Sequence, residues 1–154
     1  MGFAFAHHFA SYDATAAMTN YRSHFKPSAW RQTPHGILAV AAVAAETDAE
    51  AERLASSMDL NRLRRDRGQY LPLPSVEEAL AYNYSDGERA SVMRNRSRLF
   101  VGSPATLMAK LQPMITASQP DELMIITAVY DHDARKKSYS LLADAFGLGK
   151  KVAA

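Results

Sequence analysis

The 154-residue chain contains no cysteine. That absence excludes a disulfide framework and a thiolate-bound zinc, and it removes any tie to an oxidising compartment, so a reducing cytoplasm is the expected location. Long apolar runs are missing too. No stretch approaches the ~18 residues that would suggest a membrane span, and the apolar segment Phe3 to Ala6 lacks the basic flank of a signal peptide. The chain is therefore expected to be soluble, unexported and without a membrane partner. Charge of one sign is not in surplus, because 18 Lys and Arg stand against 16 Asp and Glu. Interspersed, nearly balanced charge gives no support to a nucleic-acid partner. The sequence also has no phosphate-cradling glycine loop, no Ser-His-Asp arrangement and no paired-carboxylate site.

What is present is a chain with 47% apolar residues, enough for one core that removes roughly two-thirds of the unfolded surface from water. Residues 2 to 10, GFAFAHHFA, place Phe3, Phe5, His7 and Phe9 on one face and Ala4, Ala6, His8 and Ala10 on the other. Both faces are largely apolar, as in a strand covered on both sides. Residues 11 to 25 carry Ala14, Ala17, Met18, Tyr21 and Phe25 at helical spacing, with Asp13 as N-cap, and Pro27 forces an end. GILAVAAVAA, residues 36 to 45, predicts a second buried parallel strand. Thr47 and Glu50 have the spacing of a capping box, so a helix should begin there and run through about Leu63.

The third of the chain from about 61 to 97 is the most polar and holds Arg62, Arg64, Arg65, Arg67, Pro72 and Pro74. The two prolines forbid a central strand, and only short helices are expected, Ser85 capping one of them. This region reads as a polar insertion over one end of a single domain spanning 1 to 154. Ser103 and Pro104 then supply a cap and a first helical residue, and Pro113 should bend or shorten the helix that follows. Residues 123 to 130, LMIITAVY, form the strongest strand signal. Asp131 or Asp133 caps a final helix that Gly147 ends. Strands at about 3–9, 37–45 and 123–130 are expected to be parallel and adjacent in that order, with right-handed crossovers. The outer two carry no charge or proline that would blunt an edge, so further pairing partners are expected.

Three stretches resemble the luciferase-like flavin-dependent monooxygenases. Phe3 to Phe9 is similar to the sixth barrel strand of that family, Val40 to Glu52 to its seventh strand and helix entry, and Asp121 to Leu142 to its eighth strand and last helix. Val101-Gly102-Ser103-Pro104 matches the entry to the preceding helix. The resemblance implies an α/β fold that is part of a (β/α)8 TIM barrel, with strands one to five and their flavin-phosphate motifs not in this chain, since a full barrel takes about 250 residues. It implies FMN as cofactor and oxidation of a small organic substrate by O2, with reduced FMN supplied by a flavin reductase or by NAD(P)H. A chain without the first five strands should bind FMN weakly alone and show no turnover alone. The alternative is a non-catalytic half-barrel that forms a homo-oligomer or complements a separate N-terminal half.

Residues at the carboxyl ends of barrel strands face the site. His7, His8 and Phe9, and at the last strand Tyr130 and Asp131, are thus the candidates for lining a flavin or substrate cavity. The histidines could instead pack beneath the following helix, and Asp131 reads more readily as a helix cap. Adjacent histidines on a strand point to opposite faces, so they do not suit one metal, and no metal site is expected. The Arg62 to Arg67 cluster is read as a solvated face or an intersubunit salt bridge, and the methionines as core fillers.

Overall fold

The computed structural model describes residues 1–10 and 12–148. Ser11, at the expected opening of the first helical segment, lies outside the described residues. The elements in order are β1 (Phe3–Ala6), α1 (Ala14–Ser23), β2 (Gly36–Ala44), α2 (Asp48–Asp66), α3 (Val76–Ala81), α4 (Asp86–Arg96), β3 (Leu99–Gly102), α5 (Pro104–Ser118), β4 (Glu122–Ile126) and α6 (His132–Ala145). No helix among the described residues is long and apolar enough to cross a membrane.

All strand pairs are parallel and all of them involve β2. Ala41 is the register partner of both Leu99 and Ile126, so β3 and β4 lie on opposite edges of β2. β1 and β4 share partners from Ile37 to Ala39 and must also be opposed. β1 and β3 therefore follow one another along one edge of β2, and β4 occupies the other. The expected three parallel strands with a central 37–45 segment are present. The expected count of three is corrected by β3, which extends the edge above β1.

Two strands are shorter than their apolar runs. β1 was expected to reach Phe9 but ends at Ala6. The His7 N–H makes a last bond to the Ala39 carbonyl, and the chain then curls so that Phe9 and Ala10 both donate to the Ala6 carbonyl. β4 was expected to reach Tyr130 but ends at Ile126. There the Thr127 hydroxyl donates to the buried Ala42 carbonyl at 2.8 Å, and the Thr127 N–H donates to the Tyr139 hydroxyl at 3.1 Å, so side chains replace the ladder.

Helix starts follow local chemistry. Asp13, Thr47, Ser75, Ser85, Ser103 and Asp131 each accept a backbone N–H of their helix's first turn. The reciprocal capping box forms at Ser85 and Glu88. At Thr47 only half of it forms, because the Glu50 carboxylate turns to Arg53 instead. Pro113 sits inside α5 without shortening it. Lacking an N–H, it leaves the Ala109 carbonyl without its helical partner. α5 ends at Gln119, whose left-handed backbone (φ 46°) turns the chain into Pro120.

The strand's alternation sorts the core into two layers. Leu38 and Val40 pack with Phe5, Met18 and Leu111, and Ala42 and Ala44 with Leu107 and Leu142, so this face is covered by α1, α5 and α6. Leu38 and Val40 are fully buried, each contributing on the order of 1.5–3 kcal/mol. On the other face Ala41, Val43 and Ala45 meet Leu54, Ala55 and Val76 of α2 and α3. That cover reaches only the carboxyl half of the sheet. Below it Ala4, Met124 and Ile126 remain exposed, Met124 to 52% and Ile126 to 39%.

Candidate functional site

Above the uncovered sheet face, at the carboxyl ends of the strands, lies a cavity of about 540 Å³. Its floor is made by Ala41 of β2, Ile126 of β4 and Ala128 just beyond it. His8 and Phe9, in the turn after β1, form one side. α2 supplies Met58, Asn61, Arg62, Arg65 and Asp66, and the segment Leu71-Pro72-Leu73 closes over from the polar third. Asn95, near the end of α4, and Arg98, in the turn after it, complete the wall. Parallel strands bring this about because their carboxyl ends all open on one side, where the connecting segments gather.

The two histidines separate as strand alternation requires. His8 turns to the cavity, its Nδ1 lying 3.3 Å from the Ala39 carbonyl oxygen. His7 turns the other way and packs 5.9 Å, centroid to centroid, from the Phe100 ring. Both His7 ring nitrogens are buried without a hydrogen-bond partner. Burial first pushes the His7 pKa below its ordinary value; the Ser97 backbone opposes that shift, and the charges of His8 and Arg98 add to it. His7 is not brought to the cavity.

The Phe9 ring lies 4.3 Å, centroid to centroid, from that of His8, tilted by 49°, and is 73% exposed. Tyr130 lines an adjoining recess of about 440 Å³ with Arg64 and the same Leu71-Pro72-Leu73 segment. Asp131 lines neither space. Its carboxylate accepts the Ala134 N–H at 2.7 Å as the cap of α6. Asp133 pairs with Lys136. Of the five candidate residues, the cavity thus gathers His8 and Phe9, its neighbour takes Tyr130, and His7 and Asp131 serve the fold.

Sequence reasoning missed the arginines. The guanidinium of Arg62 donates to the Asn95 carbonyl at 3.0 Å. Arg98 donates to the Asn95 side-chain oxygen at 2.6 Å and to the Phe9 carbonyl at 3.4 Å. Asn95 is itself held by the Asp66 carboxylate at 2.8 Å. Arg62 and Arg65 are three apart on α2, which puts both on one helix face. That spacing was the available signal; Asn95 arrives from α4 and Arg98 from the turn before β3. Among the described residues no three His, Asp or Glu side chains are arranged to hold a metal.

No family model matches the chain. Among curated proteins, it is 35% identical over 146 residues to the uncharacterized protein YceB of Bacillus subtilis, covering 95% of this chain and 44% of that protein. It is 33% identical over 142 residues to a luciferase-like monooxygenase of Escherichia coli K12, covering 92% of this chain and 42% of that protein. Among solved structures, apo-MsnO8 superposes with a TM-score of 0.86 and 32% identity, over 98% of this chain and 46% of the other. The oxygenating constituent of 3,6-diketocamphane monooxygenase from Pseudomonas putida, a type II Baeyer-Villiger monooxygenase in complex with FMN, superposes at 0.52 with 17% identity. It matches over 99% of this chain and 43% of that one, a likeness of fold. The chain spans less than half the length of the relatives it matches. Its sheet and helices are those of a partial (β/α)8 barrel, and it resembles the C-terminal part of the luciferase-like monooxygenases.

Proposed function

We propose that this chain, as a counterpart of the C-terminal part of the luciferase-like monooxygenases, forms one wall of a cavity in which FMN and a small organic substrate meet for oxidation by O2. The observation that carries the reading is the cavity at the carboxyl ends of β1, β2 and β4, bordered by an apolar inner sheet face that continues uncovered below it. A space of about 540 Å³ is within the range that takes small molecules and cofactors. Its surface suits a flat heteroaromatic group: hydrocarbon from Leu71, Leu73 and Ile126, an aromatic ring from Phe9, and donors from His8 and the arginines. When bound, the flavin supplies the electrons and the oxygen chemistry. The chain's own part is to shape the space, exclude water through the Leu71-Pro72-Leu73 segment, and orient groups by hydrogen bonds from His8 and Arg98.

A specific observation favours a second reading alongside it. β1 and β4 each have one partner among the described residues, and the inner face between them is apolar except for Glu122 at its amino end. Such edges and such a face call for cover. The chain is therefore proposed to act in association, with a second copy or with a complementary N-terminal half.

FMN titration followed by flavin fluorescence tests the reading, with the purified chain alone and co-expressed with the N-terminal part of the E. coli relative. Binding only in the co-expressed sample is expected. A monomeric chain that binds one FMN tightly by itself would overturn the partial-wall reading, and an assembled pair that binds no flavin would overturn the flavin assignment.

A further inference from the structure

Several arginines of α2 and α4 are paired with carboxylates. Arg64 pairs with Glu78 at 2.6 Å and Arg67 with Glu88 at 2.6 Å, both on the side facing α3 and α4. Arg96 meets Asp59 through two bonds of 2.7 Å and Glu52 at 3.0 Å. Arg62, Arg65 and Arg98 point into the cavity, and none of them has a carboxylate at salt-bridge distance among the described residues. Arg89 and Arg94 of α4 also have no carboxylate at salt-bridge distance among the described residues and rest against Tyr84 and Ser91, so what sets Arg62, Arg65 and Arg98 apart is that the three converge on one cavity.

Solvent alone accounts poorly for this arrangement. Arg62 is part-buried, and burial followed by the like charge of Arg98 pulls its pKa below the ordinary value, against the opposing charges of Asp59 and Asp66. Like charges three apart on one helix face repel, and a third converging on them adds to the cost. Asp66 is the cavity's one acidic lining residue, and its carboxylate is engaged by the Asn95 amide. Bonds to neutral oxygens of Asn95 and Phe9 hold Arg62 and Arg98 in place. They use only part of the five N–H donors each guanidinium carries. The result is a pre-positioned cationic wall with donors to spare, opposite a hydrocarbon surface of Leu71, Leu73 and Ile126.

We propose that Arg62, Arg65 and Arg98 form an anion subsite, and that the molecule taken by the cavity is an organic acid: a carboxylate or phosphate on the arginine wall, with its apolar body on the opposite surface. Calling that molecule the substrate rests on the flavin reading above. The binding itself does not. Charge-assisted bonds from guanidinium to a planar anion are the strong, orienting kind.

The test uses the full chain without flavin. Octanoate and octanamide, equal in chain length and different in charge, are titrated by calorimetry against the wild type, Arg62→Gln, Arg65→Gln and, as a control, Arg64→Gln. Octanoate is expected to bind at least about tenfold more tightly than octanamide, the span of one strong polar contact. Arg62→Gln and Arg65→Gln should erase that preference while Arg64→Gln keeps it. Arg65 is exposed and makes no salt bridge, so its variant stays informative should Arg62→Gln fold poorly. A second arm compares FMN with riboflavin. A preference for FMN that depends on Arg62 and Arg65, with none for octanoate, assigns the anion to the cofactor's phosphate and overturns the substrate assignment. Equal binding of acid and amide, or binding of neither ligand, with FMN and riboflavin also equal, overturns the subsite.

Discussion

Asp48, the first residue of α2, accepts the Ser103 backbone N–H at 2.6 Å and the Thr106 hydroxyl at 2.9 Å, so the start of one helix holds the start of another. These contacts, the Ser103 N–H first, keep the Asp48 carboxyl below the ordinary carboxylate range. They also fix the chain at the carboxyl end of β3, next to the end of β2.

That tie leaves no room at Gly102. Its backbone has φ 153°, and a Cβ there would lie 2.7 Å from the Thr106 methyl and 3.0 Å from the Asp48 carboxylate. Gly102→Ala is expected to lower stability by ~1–3 kcal/mol through backbone strain and displacement of that contact. Chemical denaturation checks it; a change within ±0.5 kcal/mol would show that the two helix starts are not rigidly joined.

The polar third carries a pH-sensitive lock. Glu88 accepts the Tyr82 hydroxyl at 2.7 Å and the Ser85 N–H at 2.6 Å, and Arg67 lies 2.6 Å away. The Tyr82 bond first, then those from Ser85, hold its carboxyl at about 2 against an ordinary 4.5. Because the folded value lies below the unfolded one, the stabilisation is complete above the ordinary value and is lost as pH falls through the folded one. Melting temperature measured across that acid range should fall in the wild type. Asp48, Asp121 and Asp133 are depressed as well, so Glu88→Gln should remove only part of the slope. An unchanged slope in that variant would deny Glu88 its part.

Asp131 stands at the sheet end where a cavity residue was expected, yet its bond is to Ala134. Asp131→Ala should therefore cost about 1 kcal/mol of stability, the usual loss of an N-cap. Ligand affinity should be unaffected, as read by the same calorimetry used for the cavity. A drop in affinity at unchanged melting temperature would return Asp131 to the site.

The contrast between Asp131 and Arg62 shows what a sequence makes legible. A cap is decided within four residues, so Asp13, Ser85, Ser103 and Asp131 could be read directly, as could the buried run of β2. The ends of β1 and β4 could not, because they depend on Ala39, Ala42 and Tyr139, which meet those strands only in the fold. β3 escaped notice because four residues carry little periodicity without β2 beside them. The arginine cluster reads as a solvated face in one dimension. Arg64 and Arg67 instead pair within the chain with Glu78 and Glu88, whereas the helical turn brings Arg62 to the Asn95 carbonyl and the exposed Arg65 to the cavity rim.

The uncovered inner face gives the last prediction. Ala4, Met124 and Ile126 are exposed on it, Ile37 is half-buried, Glu122 marks its amino end, and the edges of β1 and β4 that are unpaired among the described residues flank it. Associating through this surface would remove apolar area from water and pair exposed backbone groups together. Sedimentation at micromolar concentration is therefore expected to show dimers or larger species. Met124, 52% exposed and outside the cavity, is the residue to change. Met124→Lys places a charge on the β4 side of the face, between Glu122 and Ile126, without removing a core contact, so it should shift the chain to monomer at nearly unchanged melting temperature. A wild type that sediments as a monomer would show that the face stays uncovered without a different partner. A Met124→Lys variant that still associates would move the contact to another surface.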